Sequence, residues 1–104
     1  MKYLALLTPV AGKTPADFGP HMIAEVKSVW DGYASGSLRE IYFSPTPLVI
    51  TLIYELPDIA AVHSALDGLP MIEAGLLERN VVQLGPFLQF HTLFDKSLMD
   101  AAQA

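Results

Sequence analysis

The segment Leu48–Tyr54 most constrains the fold of this chain, because it is apolar on both faces of a β-strand. Side chains alternate along a strand, so Val49, Thr51 and Ile53 point to one side and the intervening residues to the other. A sheet with one face in water shows polar residues at every second position, and this segment does not. The sequence offers two helices of useful length, too few to cover both faces. We therefore expect the uncovered face to pack against a second copy, with a cavity between the two sheets for a small ligand.

The composition narrows the class of protein. The 104 residues suffice for one domain, 1–104, and a chain that is 52% hydrophobic and 16% charged is not disordered. The absence of cysteine excludes disulfides, a thiol nucleophile and cysteine-based metal sites. The net charge is −5, and the six Lys and Arg residues are scattered, so there is no basic patch for nucleic acid.

The first ten residues carry a short apolar run that superficially resembles a signal peptide. The run ends at Pro9 and no clean small-residue cleavage site follows, so residues 2–10 are better interpreted as a first strand. No run approaches the length of a membrane span. We therefore expect a cytoplasmic protein with no membrane partner.

Apolar spacing predicts two helices and a short C-terminal one. Thr14 is the expected N-cap of the first helix, with Pro15 at its first position. The helix becomes regular near Pro20 and ends at Ser35-Gly36, and the second helix runs from Pro57-Asp58 to Gly68. Their predicted buried stripes are Phe18, Met22, Val26, Val29, Trp30 and Tyr33 on the first helix, and Ile59, Val62, His63, Leu66 and Leu69 on the second.

Four strands complete the predicted order β-α-β-β-α-β, the ferredoxin-like plan. It implies an α+β fold with a four-stranded antiparallel sheet that carries both helices on one face, and we expect two such sheets to pack face to face in a homodimer. Strands are predicted at 2–9, 37–44, 48–55 and from 79 or 80 onward, with 71–78 as a helical turn or loop, 87–94 as a strand extension after a kink at Gly85-Pro86, and 95–104 as a short helix with a frayed tail.

The region around the second helix resembles muconolactone isomerases. Glu55-Leu56-Pro57, then His63, Leu66 and Leu69-Pro70, match a pattern in which an acidic residue, an apolar residue and Pro open the helix, a His follows six residues after the Pro, and Leu-Pro closes it. The resemblance covers residues 20–85. In the same register Glu25 matches an acidic residue of helix one, and Arg39 a basic residue of strand two.

A second resemblance overlaps the first. Residues 70–77, followed by 81–84, are similar to the tail of YCII-type domains, which usually show Asp-Pro where this chain has Leu69-Pro70. The acidic half of their His–Asp pair is therefore missing. Both families share the dimeric α+β barrel. The resemblance to muconolactone isomerases also implies a homodimer, with rings of dimers as a possible higher oligomer.

His21 and Glu25 are the predicted catalytic residues. They are four apart on helix one and can share a face, where a carboxylate beside an imidazole forms an acid–base pair. Proton abstraction next to a carbonyl, as in muconolactone isomerisation, needs such a pair. The alternative is an exposed His–Glu pair on the helix surface.

The predicted substrate-binding residues are Arg39, Tyr42, Tyr54 and His63. Arg39 can hold a substrate carboxylate if it points into the cavity, and is a solubilising edge residue if it points outward. The tyrosines can orient a ligand through their hydroxyls, or simply bury their rings. His63 lies on an inward stripe, where a structural histidine is the alternative, and His91 is interpreted as an edge or interface residue.

The three histidines share no short spacing, so we predict no metal site and find no support for haem. The leading hypothesis is a muconolactone isomerase-like enzyme, without an organic cofactor, that moves a proton on a small carboxylated, unsaturated or cyclic compound. The alternatives are a non-catalytic ligand-binding or assembly module and a cofactor-free monooxygenase of the same fold. Convergence of His21, Glu25, Arg39 and His63 in one cavity favours an enzyme, and their dispersal favours the module.

Overall fold

The structure is a computed structural model that describes residues 1–103. Its strands and helices follow one another along the chain in the predicted order. The strands are β1 (Lys2–Pro9), β2 (Leu38–Pro45), β3 (Leu48–Glu55) and β4 (Leu77–Leu84). The helices are α1 (Pro15–Phe18), α2 (Met22–Ser35), α3 (Ile59–Asp67), α4 (Pro70–Glu73) and α5 (Lys96–Gln103), with 3-10 helices at Gly19–His21 and Leu88–Phe94.

The four strands form one antiparallel sheet in the order β2-β3-β1-β4. In the centre, Leu4 of β1 lies opposite Ile53 of β3 on one side and Val82 of β4 on the other. The turn between β2 and β3 contains a cis peptide bond before Pro47. The predicted α+β ferredoxin-like fold is confirmed.

Alternation along the strands gives the sheet two apolar faces. On the first face, Ala5 and Leu7 of β1 and Leu52 of β3 are buried beneath the helices, against Val62 and Leu66 of α3. Burial of such side chains stabilises the fold by roughly 1.5–3 kcal/mol each. The helices lie on this face. We call the other face the open sheet face; its apolar residues are Leu4, Leu6, Val49, Ile53 and Val82.

The predicted burial of helix one is confirmed only at two of its six positions. Phe18 and Val29 pack partly against the core, whereas Val26, Trp30 and Tyr33 are largely exposed. An apolar stripe at helical spacing shows which face of a helix is apolar, but not that another element covers it. On helix two the stripe is confirmed at Val62, Leu66 and Leu69, while Ile59 is exposed and His63 half-buried.

Local signals explain the helix ends. Pro15 starts α1 as predicted, and the Gly19-Pro20 pair gives a 3-10 turn, so that regular helix begins at Met22. Gly36 ends α2 in the left-handed conformation, with φ at 88°, which favours glycine.

The predicted strand extension at 87–94 is wrong. Strand β4 begins at Leu77, two residues earlier than expected, and ends at Leu84, opposite Lys2 at the start of β1. Beyond that pair β1 offers no further partner, and the chain turns away at Gly85-Pro86. Residues 88–94 instead form a 3-10 helix, so His91 is exposed on this helix and not on a strand.

We call Phe87–Gln103 the C-terminal arm. Its helices pack on each other, and the molecule measures 61 × 30 × 19 Å. The radius of gyration is 18.3 Å, compared with about 13 Å for a compact chain of this size. The arm therefore projects from the domain.

Candidate functional site

An apolar cavity of about 620 Å³ lies between the sheet and the helices α1 and α2. This volume is within the range of small-molecule sites. The cavity lies on the helix side of the sheet within one chain, and not between two sheets. The predicted inter-sheet cavity needs a second chain and stays a prediction. Apolar residues of the wall include Leu7, Phe18, Val26, Ile41, Phe43 and Ile50.

Glu25 is the acidic residue of the cavity wall. It projects from α2 and is only 5% exposed, the one buried residue of that helix. Its Oε2 accepts a hydrogen bond of 2.9 Å from the backbone N–H of Met71. Met71 is in the first turn of α4, where backbone N–H groups have no partner within the helix. Within residues 1–103, Oε1 of Glu25 is buried without a hydrogen-bond partner.

This environment favours the neutral form of the carboxyl group. Burial raises the pKa of Glu25 above its ordinary value, while the Met71 hydrogen bond and the charge of His21 act in the opposite direction. Tyr54 is 4% exposed, and burial, aided by the charge of Glu25, raises the pKa of its hydroxyl to about 12. Tyr54 is therefore neutral near Glu25 at ordinary pH.

The predicted pair His21 and Glu25 are neighbours. His21 ends the 3-10 helix before α2 and is half-buried. It acts on Glu25 through charge, and no hydrogen bond joins the two side chains in the part of the chain that the structure describes. Glu25 is not the exposed residue that the surface-pair alternative requires. The catalytic role of both residues stays a prediction.

Arg39 and Tyr42 place their polar groups away from the cavity. The Arg39 side chain is exposed, and its Nε donates a hydrogen bond to the Gly36 carbonyl. Tyr42 touches the cavity edge, but its hydroxyl donates to Glu40 Oε1 at 2.7 Å. A substrate-binding role for Arg39 is therefore not supported by this cavity, and the role of Tyr42 stays a prediction.

His63 belongs to a different polar cluster on α3. Arg79 of β4 donates to the His63 carbonyl at 3.1 Å and lies 3.3 Å from its Nδ1. Arg79 also pairs with Asp67. The arrangement holds β4 to α3, and His63 does not line the cavity. The sequence signal that could have revealed this cluster is the position of Arg79, which lies between Leu77 and Val81 on the same face of β4.

The search by sequence also missed the Met71 N–H, because a backbone donor has no residue-type signal. It did not predict that Lys13 and Thr14 line the cavity, since Thr14 was expected only as a helix N-cap. No three His, Asp or Glu side chains within residues 1–103 lie close enough together to hold a metal ion. In the same range every helix is too short or too polar to cross a bilayer.

The fold and site define a ferredoxin-like α+β domain with a buried carboxyl group in the wall of an apolar cavity. Among solved structures, the chain is similar to 5-chloro-2-hydroxyhydroquinone dehydrochlorinase (TftG) from Burkholderia phenoliruptrix AC1100, in complex with 2,5-dihydroxybenzoquinone. The TM-score is 0.69 at 17% identity, over 82% of this chain and 94% of that chain. TftG has the dimeric α+β barrel fold. At this identity the likeness shows the fold. Neither a family model nor a curated protein matches the sequence.

Proposed function

We propose that this protein is a small-molecule enzyme that moves a proton on a cyclic, largely apolar substrate, with Glu25 as its general acid and base. The observation that carries the proposal is the buried Glu25 carboxyl in the cavity wall, held through one oxygen by Met71 N–H and without a partner on the other. Buried polar atoms are usually paired, so an unpaired one calls for an explanation, and a catalytic role is one that fits an atom in a cavity wall.

The raised pKa of Glu25 suits this role. A general acid–base works best when its pKa lies near the operating pH, because both protonation states are then accessible. Burial shifts the pKa of Glu25 in this direction. The Met71 hydrogen bond fixes the orientation of the carboxyl group, so that Oε1 is left to hold or release the proton.

The proposed reaction begins when the Glu25 carboxylate removes a proton from a carbon next to a substrate carbonyl. The electron pair of the broken C–H bond passes into an enolate, and Glu25 becomes neutral. Return of the proton at another carbon of the conjugated system completes an isomerisation. Departure of a leaving group such as chloride, with the electron pair of its bond to carbon, completes an elimination instead, and Glu25 then releases its proton to water.

The cavity wall supports a cyclic and mainly apolar substrate. TftG, by its name, removes chloride from a hydroxyhydroquinone, and its complex contains a quinone. From this comparison we take only the class of compound that we propose as the substrate, a small oxygenated ring. If the substrate bears a carboxylate, Lys13 is better placed than Arg39 to meet it, because Lys13 lines the cavity.

The test is an assay of wild-type protein and Glu25→Gln with unsaturated lactones and chlorinated hydroxyhydroquinones. The readouts are product formation and exchange of substrate hydrogen for solvent deuterium by NMR. We expect Glu25→Gln to lower the rate by about 10²–10⁴-fold, the usual contribution of general acid–base catalysis. Glu73→Gln removes an exposed carboxylate and should keep full activity. Equal rates for Glu25→Gln and wild type would refute the role of Glu25.

A non-catalytic ligand-binding module is the second candidate, favoured by the predominance of apolar residues in the cavity wall. It predicts that wild-type protein binds these compounds in a thermal-shift assay without turnover or deuterium exchange. Binding without exchange across the whole panel would favour this candidate over the enzyme.

A further inference from the structure

The C-terminal arm exposes large apolar side chains that the chain itself does not cover. Phe87, Phe90 and Leu93 are mostly exposed, and Phe94 is 87% exposed. The rings of Phe87 and Phe90 pack edge to face with centroids 5.1 Å apart, so they form a defined surface. A contiguous apolar surface of this kind marks an interaction site.

A second uncovered apolar surface lies at the mouth of the cavity, and we call it the α2 groove. Trp30 is 62% exposed, and its ring lies 5.9 Å from that of Tyr33. A second, shallower pocket beside the cavity is lined by Trp30 and Tyr33 on this surface. The groove is formed by Met22, Val26, Trp30 and Tyr33 of α2 with Ile41 and Phe43 of β2.

The arm and the groove lie at opposite edges of the sheet. The arm leaves β4 at one edge, whereas the groove lies over β2 at the other edge. Three strand spacings, about 14 Å, separate the two edges. The arm extends away from the domain, which makes the molecule 61 Å long, and leaves the groove of its own chain exposed.

From these observations we propose that the C-terminal arm of one chain docks in the α2 groove of a second copy and closes the mouth of its cavity. The dimensions match, because the apolar stripe from Met22 to Tyr33 is about 16 Å long and the 3-10 helix Leu88–Phe94 about 14 Å. The exposed aromatic and leucine side chains would bury roughly 500 Å² per arm. Reciprocal exchange of two arms reaches the area of a stable protein interface.

This inference does not depend on the chemistry proposed for Glu25. In the assembled protein each cavity is completed by the arm of another copy, which excludes water from the apolar wall. A failure of the proton-transfer proposal leaves the contact intact, because the contact is tested without an activity assay.

The absence of cysteine allows a direct test by cross-linking of full-length chains. One protein carries Ser97→Cys on the arm, and a second, of different mass through a tag, carries Ala34→Cys beside Tyr33; both positions are exposed. The two are mixed and treated with a short bis-maleimide, which joins residues that lie close together. We expect a cross-linked heterodimer, and its loss when Phe90→Ser and Phe94→Ser are added to the arm chain.

Three outcomes would overturn the proposal. The first is a heterodimer that forms as readily with Asn80→Cys, on the open sheet face, or with Ala60→Cys on α3. The second is that the bis-maleimide joins the two cysteines within one chain of a double variant that carries both Ser97→Cys and Ala34→Cys. The third is that light scattering finds the wild-type protein monomeric at all concentrations tested, while its circular dichroism shows that it is folded.

Discussion

At the scale of single residues, Glu25 departs most from what its side chain prefers. A carboxylate loses hydration when it is buried, and Glu25 recovers one hydrogen bond, from Met71 N–H. Such a group costs stability, so its presence in place of an apolar residue calls for another reason. This cost is the reason to look for function at Glu25 before His63 or Arg39, whose polar groups are paired within the chain.

The stability of the protein should depend on pH through Glu25. Its pKa is higher in the folded protein than the ordinary value of 4.5. Between the unfolded and the folded pKa, the folded state therefore retains a proton that the unfolded chain has lost. The contribution to stability is present below the unfolded pKa and is lost as the pH rises towards the folded pKa. Each unit between the two pKa values corresponds to about 1.4 kcal/mol.

Thermal unfolding at pH 4 and pH 8 measures this dependence. Glu25→Gln keeps an acceptor for Met71 N–H but cannot ionise. The Tm of this variant should therefore increase relative to the Tm of wild type as the pH rises. Glu73→Gln, at an exposed position, serves as the matched control. A constant Tm difference between Glu25→Gln and wild type over this range would contradict the raised pKa.

At the scale of elements, α3 has the clearest local stabilisation. Asp58 precedes the helix in an extended conformation, and its Oδ1 accepts a 2.8 Å hydrogen bond from the N–H of Ala61. This is a regular N-cap, and it agrees with the boundary predicted from Pro57-Asp58. Helix α2 has no side-chain cap at its start and begins from a 3-10 turn.

Asp58→Ala should lower the free energy of unfolding by about 1 kcal/mol, because it removes the N-cap acceptor of α3. Chemical denaturation at neutral pH measures the change. Asp31→Ala removes an exposed carboxylate from α2 and should change stability by less than about 0.5 kcal/mol. Equal losses in the two variants would show that the Asp58 cap does not stabilise α3.

At the scale of the whole molecule, the open sheet face is a third apolar surface, and helices α1 to α4 lie on the opposite side of the sheet. Leu4, Ile53 and Val82 lie side by side across three strands of this face. We propose a homodimer that pairs two such faces, as the pattern of β3 predicted, in addition to the contact of the arm. The two contacts use opposite sides of the sheet and are compatible with a higher oligomer.

Leu6→Lys places a charge on the open sheet face and should weaken self-association at least tenfold, since pairing would desolvate the charge. Analytical ultracentrifugation over a range of concentrations gives the dissociation constant. Ala60→Lys adds the same charge at an exposed position of α3 and should leave association unchanged. Unchanged association in Leu6→Lys would exclude the open sheet face as an interface.

The sequence by itself determined the order of the elements and most of their boundaries. The two-sided apolar pattern of 48–55, the turn residues and the helix spacing are local signals, and each is confirmed in β3, α2 and α3. It also identified Glu25 as a candidate, through its spacing from His21 and through resemblance. These features follow from residue type and neighbours along the chain.

The tertiary structure alone decided which apolar residues are covered and which polar groups meet. It left Trp30 and Tyr33 exposed, brought Met71 N–H to Glu25 across 46 residues of chain, and brought Arg79 to His63. Strand β4 ends where β1 has no further residue to pair with, and the C-terminal arm beyond it is helical. Periodicity specifies the character of a face, but packing between distant segments decides what that face contacts.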